Sequence, residues 1–196
     1  MRKYFIGPAL ALIAFAARAQ TPEQIEQCNS SGATADQTVA GCTAMIASGH
    51  YKADDLADAY SNRADGYLGK GKWDLAIADA NRSVVLKPAN PNALNNRCMA
   101  YIGKKLFDQA IADCSKAITL GPGNGHYYRN RATAEQKKGQ NAKALADYRL
   151  AIQIDPKDGF ATKGLMSLAL PPADNKATPK ARAPNTAPNP GSGPHK

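Results

Sequence analysis

The sequence predicts an all-α protein in which repeated helical hairpins stack side by side. Three windows, 57–90, 91–124 and 125–158, follow one another at a period of 34 residues without insertion or deletion. A fixed period in this range indicates a stacked-repeat architecture, in which each unit buries its apolar face against its neighbour. The pattern inside each window indicates that the unit is a pair of helices.

Two helical faces recur in each unit. The fourth, eighth and eleventh places lie on one face of a first helix, and the twentieth, twenty-fourth and twenty-seventh places lie on one face of a second. Small residues at the eighth and twentieth places allow the two helices to approach closely. The residues at four of these places are Tyr60, Leu94 and Tyr128; Ala64, Cys98 and Ala132; Ala76, Ala110 and Ala144; and Ala80, Cys114 and Tyr148.

The turns of the unit are marked by glycine and proline. Gly71 and Gly139 separate the two helices, as glycine does at a helix end, whereas Lys105 stands at this place in the middle unit. A proline near the end of each unit stops the second helix, because the residue before proline disfavours the helical conformation. These prolines are Pro88, Pro122 and Pro156.

This unit resembles the tetratricopeptide repeat, a helix–turn–helix of 34 residues, and the resemblance covers about half of the chain. It implies a right-handed superhelical stack, a capping helix over 159–170 and a concave groove lined by the first helix of each unit. The sequence departs from the family at the seventh place, where the family usually has leucine. Here the residues are Arg63, Arg97 and Arg131, each preceded by an asparagine.

An aspartate follows each of these arginines by sixteen residues, at Asp79, Asp113 and Asp147. In an antiparallel hairpin the two places face each other, and a planar guanidinium suits a bidentate carboxylate partner. We therefore predict an Arg–Asp pair in every unit. The alternative is a row of cations that binds an acidic ligand.

Residues 1–19 resemble a secretory signal peptide, with Arg2 and Lys3 before an apolar run and an A-x-A site before Gln20. The alternative, a membrane anchor, is disfavoured because spanning a bilayer takes roughly 20 apolar residues. We therefore expect an exported bacterial protein with no transmembrane segment after signal removal, located in the periplasm or, alternatively, secreted. Without this segment 22 basic residues stand against 16 acidic ones, a mild excess that does not indicate a nucleic-acid partner.

The segments that flank the three units are less regular. Residues 20–56 predict a degenerate N-terminal helix pair, because 35–49 aligns with 73–87 at a shift of 38. Short helices and a long exit loop over 48–56 are expected there. Residues 171–196 hold seven of the thirteen prolines and no large apolar residue, a composition typical of a disordered tail. A sharper hypothesis is that this basic tail makes weak contact with an anionic envelope surface.

The four cysteines predict two disulfides, because an exported chain meets an oxidising compartment. Four cysteines allow three pairings, and the repeat register selects Cys28–Cys42 and Cys98–Cys114, each joining the two helices of one hairpin. The alternative is that Cys98 and Cys114 are small buried residues in tight helix contacts.

The resemblance implies a peptide-binding groove that is acidic at one end, apolar in the middle and basic at the other. Some members of the family hold a C-terminal carboxylate with a lysine one turn before an asparagine in their first unit. Ser61 and Asp65 stand at these places here, so that clamp is absent. The predicted groove residues are Ser61, Asp65, Leu68, Asn95, Met99, Ile102, Arg129, Thr133 and Gln136.

The sequence contains no pattern typical of catalysis, cofactor binding or metal binding. The three histidines, His50, His126 and His195, have no cysteine or carboxylate nearby at metal-ligand spacing. We therefore predict a non-enzymatic scaffold of the bacterial cell envelope that binds a protein or peptide partner in its groove. One alternative is a thiol-redox or chaperone-like periplasmic factor that uses the cysteines. A third is a small subunit that bridges larger envelope proteins and uses its tail for one contact.

Overall fold

The computed structural model describes residues 21–169, which form nine α-helices and no strand. The predicted signal peptide over 1–19 and the predicted tail over 171–196 lie outside the described residues. The helices are α1 Pro22–Glu26, α2 Ala35–Ser48, α3 Ala53–Gly69, α4 Trp73–Leu86, α5 Pro91–Gly103, α6 Phe107–Leu120, α7 Gly125–Lys137, α8 Asn141–Ile154 and α9 Gly159–Ala169.

The helices pack as hairpins that stack in chain order. Within the units, α3 packs on α4, α5 on α6 and α7 on α8, and each second helix also contacts the first helix of the next unit. The first helices α3, α5 and α7 contact one another in series, and α9 packs on α7 and α8. The predicted all-helical stack with a capping helix is therefore confirmed.

The turn inside each unit has the same geometry in all three units. Gly71, Lys105 and Gly139 have φ values of 66°, 61° and 81°, which is the left-handed region. In each unit the next N–H group reaches back to the first helix, for example from Leu106 to the carbonyl oxygen of Tyr101 at 2.8 Å. This is the hydrogen bond of a Schellman cap. The middle turn thus forms although a lysine stands where its neighbours have glycine.

The N-terminal pair differs from the prediction in two respects. Only α1 is short, with 5 residues, whereas α2 has 14 residues. The connection from α2 to α3 spans only 49–52, because α3 begins at Ala53 inside the expected exit loop. Asp54 and Asp55 lie in the first turn of α3, where negative charges interact favourably with the helix dipole.

The core consists largely of small side chains, which keep the helices close together. Ala64, Ala76 and Ala80 are completely buried in the first unit, and the later units follow the same pattern. In the N-terminal pair α1 lies directly on Gly41, since a Cβ atom there would be 2.5 Å from the carbonyl oxygen of Gln24. This close approach explains why a five-residue helix is held in place.

The predicted Arg–Asp pairs are confirmed in all three units. In the middle unit Arg97 donates from Nε to Asp113 Oδ2 at 2.6 Å and from Nη2 to Asp113 Oδ1 at 2.7 Å. The remaining nitrogen, Nη1, donates to Asn81 of the preceding unit at 2.7 Å. Arg63 and Arg131 repeat this arrangement. Each arginine therefore joins its own hairpin and also ties that hairpin to the one before it.

No helix within 21–169 is both long enough and apolar enough to cross a lipid bilayer.

Candidate ligand-binding groove

A groove of about 510 Å³ runs along the first helices on one side of the stack. Its walls and floor come from α2, α3, α5 and α7, and from the first residue of α4. The groove is mostly apolar, and it is open to solvent along its length. The lining residues are Ala33, Ala35, Thr38, Asp65, Gly66, Leu68, Gly69, Trp73, Met99, Ile102, Gly103, Asn130 and Thr133.

Five of the nine predicted groove residues lie in this groove. They occupy the ninth place of each unit and the twelfth place of the first two units. One helical turn separates the two places, so both face the same side of the first helix. The five residues are Asp65, Leu68, Met99, Ile102 and Thr133.

Two predicted residues, Ser61 and Asn95, do not line the groove but lie buried between adjacent units. Asn96 donates from Nδ2 to the carbonyl oxygen of Ser61 at 2.9 Å, and Asn130 donates to Asn95 Oδ1 at 2.8 Å. The fifth place of one unit is thus covered by the asparagine at the sixth place of the next. The asparagine before each arginine was the sequence signal for this contact.

The other two predicted residues, Arg129 and Gln136, interact with the capping helix. Arg129 donates to Asp158 Oδ2 at 2.9 Å, and its guanidinium lies 5.5 Å from the centre of the Phe160 ring. Gln136 donates to Ser167 Oγ at 2.9 Å. The prediction that one end of the groove is basic is therefore wrong, because Asp158 neutralises Arg129 and α9 packs over this end of the stack.

Asp158 holds the start of α9 in place. Its Oδ1 accepts hydrogen bonds from the N–H groups of Phe160 and Ala161, each at 3.0 Å. Burial alone would raise the pKa of Asp158, but these N–H groups and the positive charge of Arg129 outweigh it and lower the pKa. The same carboxylate thus caps α9 and pairs with Arg129, which does not line the groove.

Two parts of the groove were not predicted from the sequence. One is the wall formed by the N-terminal pair, from Ala33, Ala35 and Thr38. The other is Trp73, whose ring lies directly on Gly103, since a Cβ atom on Gly103 would be 2.6 Å from Trp73 Cδ2. Each of these features is a contact between different hairpins. The 34-residue period shows which residues are equivalent in each unit, but it does not show which residues of neighbouring units touch.

The groove has a single charged side chain among its lining residues, that of Asp65. Asp65 is accessible from the open side of the groove, but the surrounding walls displace water and raise the pKa of its carboxyl group. On its other side Asp65 borders a polar pocket of about 270 Å³, which includes Asn29, Ser30 and Asn62. The electrostatic character of the groove is therefore mildly anionic.

The cysteines lie in two pairs, one in the N-terminal hairpin and one in the middle unit. The Cα atoms of Cys28 and Cys42 are 4.5 Å apart, and those of Cys98 and Cys114 are 5.6 Å apart. Both separations suit a disulfide, and both pairs are bonded in the structure. The first pair joins α2 to the connection that leads to the groove wall, and Asn62 of α3 also donates to the carbonyl oxygen of Cys28 at 3.1 Å.

Comparisons with known proteins agree with this architecture. Residues 126–158 match the family model of the tetratricopeptide repeat (TPR). The TPR domain of Arabidopsis OM64 is similar in structure, with a TM-score of 0.58 and 24% identity, over 60% of this chain and 98% of that chain. The stack has the fold of a TPR domain.

Two further TPR structures contain a bound peptide. The second TPR domain of human RPAP3, in complex with the HSP70 peptide SGPTIEEVD, has a TM-score of 0.57 and 25% identity, over 61% of this chain and all of that chain. The first TPR of Spaghetti (RPAP3), bound to the HSP90 peptide SRMEEVD, has a TM-score of 0.56 and 27% identity, over 59% of this chain and 91% of that chain. No curated protein sequence matches this chain.

Proposed function

We propose that this protein is a non-enzymatic interaction scaffold that holds a peptide or helix of a partner protein in its concave groove. The observation that carries the proposal is an open groove of about 510 Å³ that crosses the three TPR units and has an apolar floor. Concave, preformed and mostly apolar sites of this kind suit extended segments and amphipathic helices. Side-chain identity along the groove would then set the specificity.

The two peptide complexes support this use of the fold, but the peptide class differs here. Both bound peptides end in Glu-Glu-Val-Asp, which carries several negative charges. The groove of this chain presents Asp65 and no lysine or arginine among its lining residues. A similar acidic tail would meet repulsion at this site, so we do not propose that it is the ligand.

The proposal includes neither catalysis nor a cofactor. Within residues 21–169 no three histidine, cysteine or acidic side chains come together as a metal site. The two histidines described, His50 and His126, are both exposed and lie outside the groove. Binding through shape and charge is the function that the described side chains support best.

We further propose that the protein works in the bacterial cell envelope, in the periplasm or, alternatively, after secretion. The support is the signal-like sequence over 1–19 and the presence of paired cysteines, which suit an oxidising compartment. Weak contact of the tail over 171–196 with an anionic envelope surface stays a prediction. The mild basic excess gives no reason to propose a nucleic-acid partner.

The thiol-redox alternative is less well supported. Catalytic cysteines need an accessible sulfur with a depressed pKa, whereas the four cysteines here are between 0% and 3% exposed. Their neighbours are apolar residues such as Met45, Ala59 and Ala110. Burial of this kind favours a structural role for both pairs.

A cross-linking pull-down from envelope extract tests the scaffold proposal. Met99→Lys places a charge on the apolar floor and should remove the partners that the wild-type protein recovers. The matched control is Val85→Lys, since Val85 is 71% exposed and lies outside the groove. If Met99→Lys recovers the same partners as the wild-type protein, the groove is not the binding site.

A further inference from the structure

Asp65 differs from the other aspartates of the repeat units in having no partner among the described residues. Asp79, Asp113 and Asp147 are each held by an arginine. The carboxylates at the unit turns are held by lysines, in the pairs Asp36–Lys70, Asp74–Lys104 and Asp108–Lys138. Within 21–169, Asp65 takes part in no ion pair and accepts no hydrogen bond.

The nearest cations along the chain cannot serve Asp65 without breaking other pairs. Arg63 lies two residues before Asp65 and is held by Asp79. Lys70 follows the end of α3 and is held by Asp36. The side chains around Asp65 in the two adjoining cavities are neutral, among them Thr38, Asn62 and Met99. Asp65 is exposed at the edge of the groove and has no counter-charge among the described residues, so its carboxylate can accept a cation from a ligand.

An apolar floor lies next to this carboxylate. Leu68 follows Asp65 by one helical turn, and Met99 and Ile102 continue the floor into the middle unit. The ring of Trp73 lies on Gly103, and both residues also line the groove. A ligand that fills the groove therefore meets one negative charge and a neighbouring apolar surface.

We propose that the groove selects a partner segment that carries a lysine or arginine beside a large apolar side chain. The cation would donate to Asp65, and the apolar side chain would pack on Leu68, Met99 and Ile102. The same carboxylate repels acidic segments, so one residue supplies both attraction to the right ligand and rejection of the wrong one. This inference rests on the proposed groove function and specifies its ligand class.

Three sets of labelled nine-residue peptides test the inference by fluorescence anisotropy. Each peptide has a central leucine, flanked on both sides by lysines, by glutamines or by glutamates. The lysine set should bind about tenfold more tightly than the glutamate set, which corresponds to about 1.4 kcal/mol. A lysine peptide in which serine replaces the leucine should lose most of its affinity, because the apolar contact is removed.

Asp65→Asn should bring the affinities of the three sets to within about threefold of one another, because the charge that separates them is gone. The matched control is Asp55→Asn, which removes one negative charge from the same helix but outside the groove. It should leave the order of the three sets unchanged. If Asp65→Asn and Asp55→Asn have the same effect, the preference comes from net charge and the inference is overturned.

The remaining outcomes separate this inference from the groove function itself. If the wild-type protein binds all three peptide sets equally and Met99→Lys abolishes that binding, the charge selectivity is overturned but the groove function stands. Failure of every set to bind would overturn both.

Two other occupants of the groove are tested in the full chain. If Lys180→Ala with Arg182→Ala raises the affinity for the lysine peptides, the chain's own tail competes for the groove. If Met99→Lys abolishes a concentration-dependent dimer in gel filtration, a second copy occupies it. Either result would overturn the assignment of the groove to a foreign basic segment.

Discussion

The left-handed turn at Lys105 is the clearest case of a single residue at odds with its backbone. In this region a residue with a Cβ atom lowers the free energy of unfolding by roughly 1–2 kcal/mol relative to glycine. Glycine also gives the unfolded chain more conformational freedom, which offsets about 0.4–1 kcal/mol of the stability gained by the substitution. Lys105→Gly should therefore stabilise the protein by about 1 kcal/mol in urea unfolding. Gly139→Ala, at the same place in the next unit, should destabilise it. A neutral result for both would contradict this account of the turn.

Glu135 presents a second local conflict, because its buried Oε2 has no hydrogen-bond partner among the described residues. Burial raises the pKa of Glu135, Asp147 adds to the rise, and Arg131 and Lys143 oppose it. The folded state thus holds this proton more tightly than the unfolded chain does. The carboxyl group therefore costs increasing stability as the pH rises above its ordinary pKa.

Glu135→Gln should stabilise the protein by about 1 kcal/mol at pH 7 and have a smaller effect at pH 4. Urea unfolding at the two pH values measures the difference. Glu26→Gln, at an exposed carboxylate of α1, serves as the control. A gain at pH 4 that equals the gain at pH 7 would show that ionisation of Glu135 is not the cause.

At the scale of the helices, the Arg–Asp pairs join the two members of each hairpin. Arg97 and Asp113 are 19% and 11% exposed, and loss of one partner from a buried pair typically costs about 3–5 kcal/mol. Asp113→Arg should therefore destabilise the protein by about 3 kcal/mol. Addition of Arg97→Asp should recover at least about 1 kcal/mol of that loss. Equal costs for the single and double variants in denaturant unfolding would defeat the pairing.

The two disulfides should stabilise different helices. Each closes a loop of similar size, with sequence separations of 14 and 16 residues, so each should contribute roughly 3 kcal/mol. Replacement of Cys28 and Cys42 by alanine should increase hydrogen exchange in α1 and in the connection over 28–33, which leads to the groove wall. Replacement of Cys98 and Cys114 should affect α5 and α6 instead. Alkylation that finds four free thiols in the folded protein would end this claim.

Elements repeated along the chain could be predicted from the sequence, and contacts between units could not. The turns, the Arg–Asp pairs and the ninth-place groove residues follow a register that the 34-residue period makes visible. Ser61 and Asn95 share that register but lie under an asparagine of the next unit. Arg129 shares it too, but Asp158 holds it against the capping helix.

At the scale of the whole stack, a mostly apolar groove is open to solvent within residues 21–169, and its walls come from four helices of separate hairpins. The N-terminal pair and the capping helix do not have the full 34-residue unit, yet they form the boundaries of the groove. The N-terminal pair supplies one wall, and α9 covers Arg129 and Gln136 at the other end. The charged and large apolar lining residues of the groove lie in the first two units, among them Asp65, Leu68 and Met99.

Site-specific photo-cross-linking in the native host tests most directly whether this groove holds a partner segment. A photoreactive amino acid would replace Met99 on the groove floor and, as the matched control, Val85, which is exposed and lies outside the groove. We predict cross-links to a partner protein from position 99, reduced by Asp65→Asn, and none to that partner from position 85. Cross-links from position 85 alone, or equal cross-links from both positions, would contradict the account.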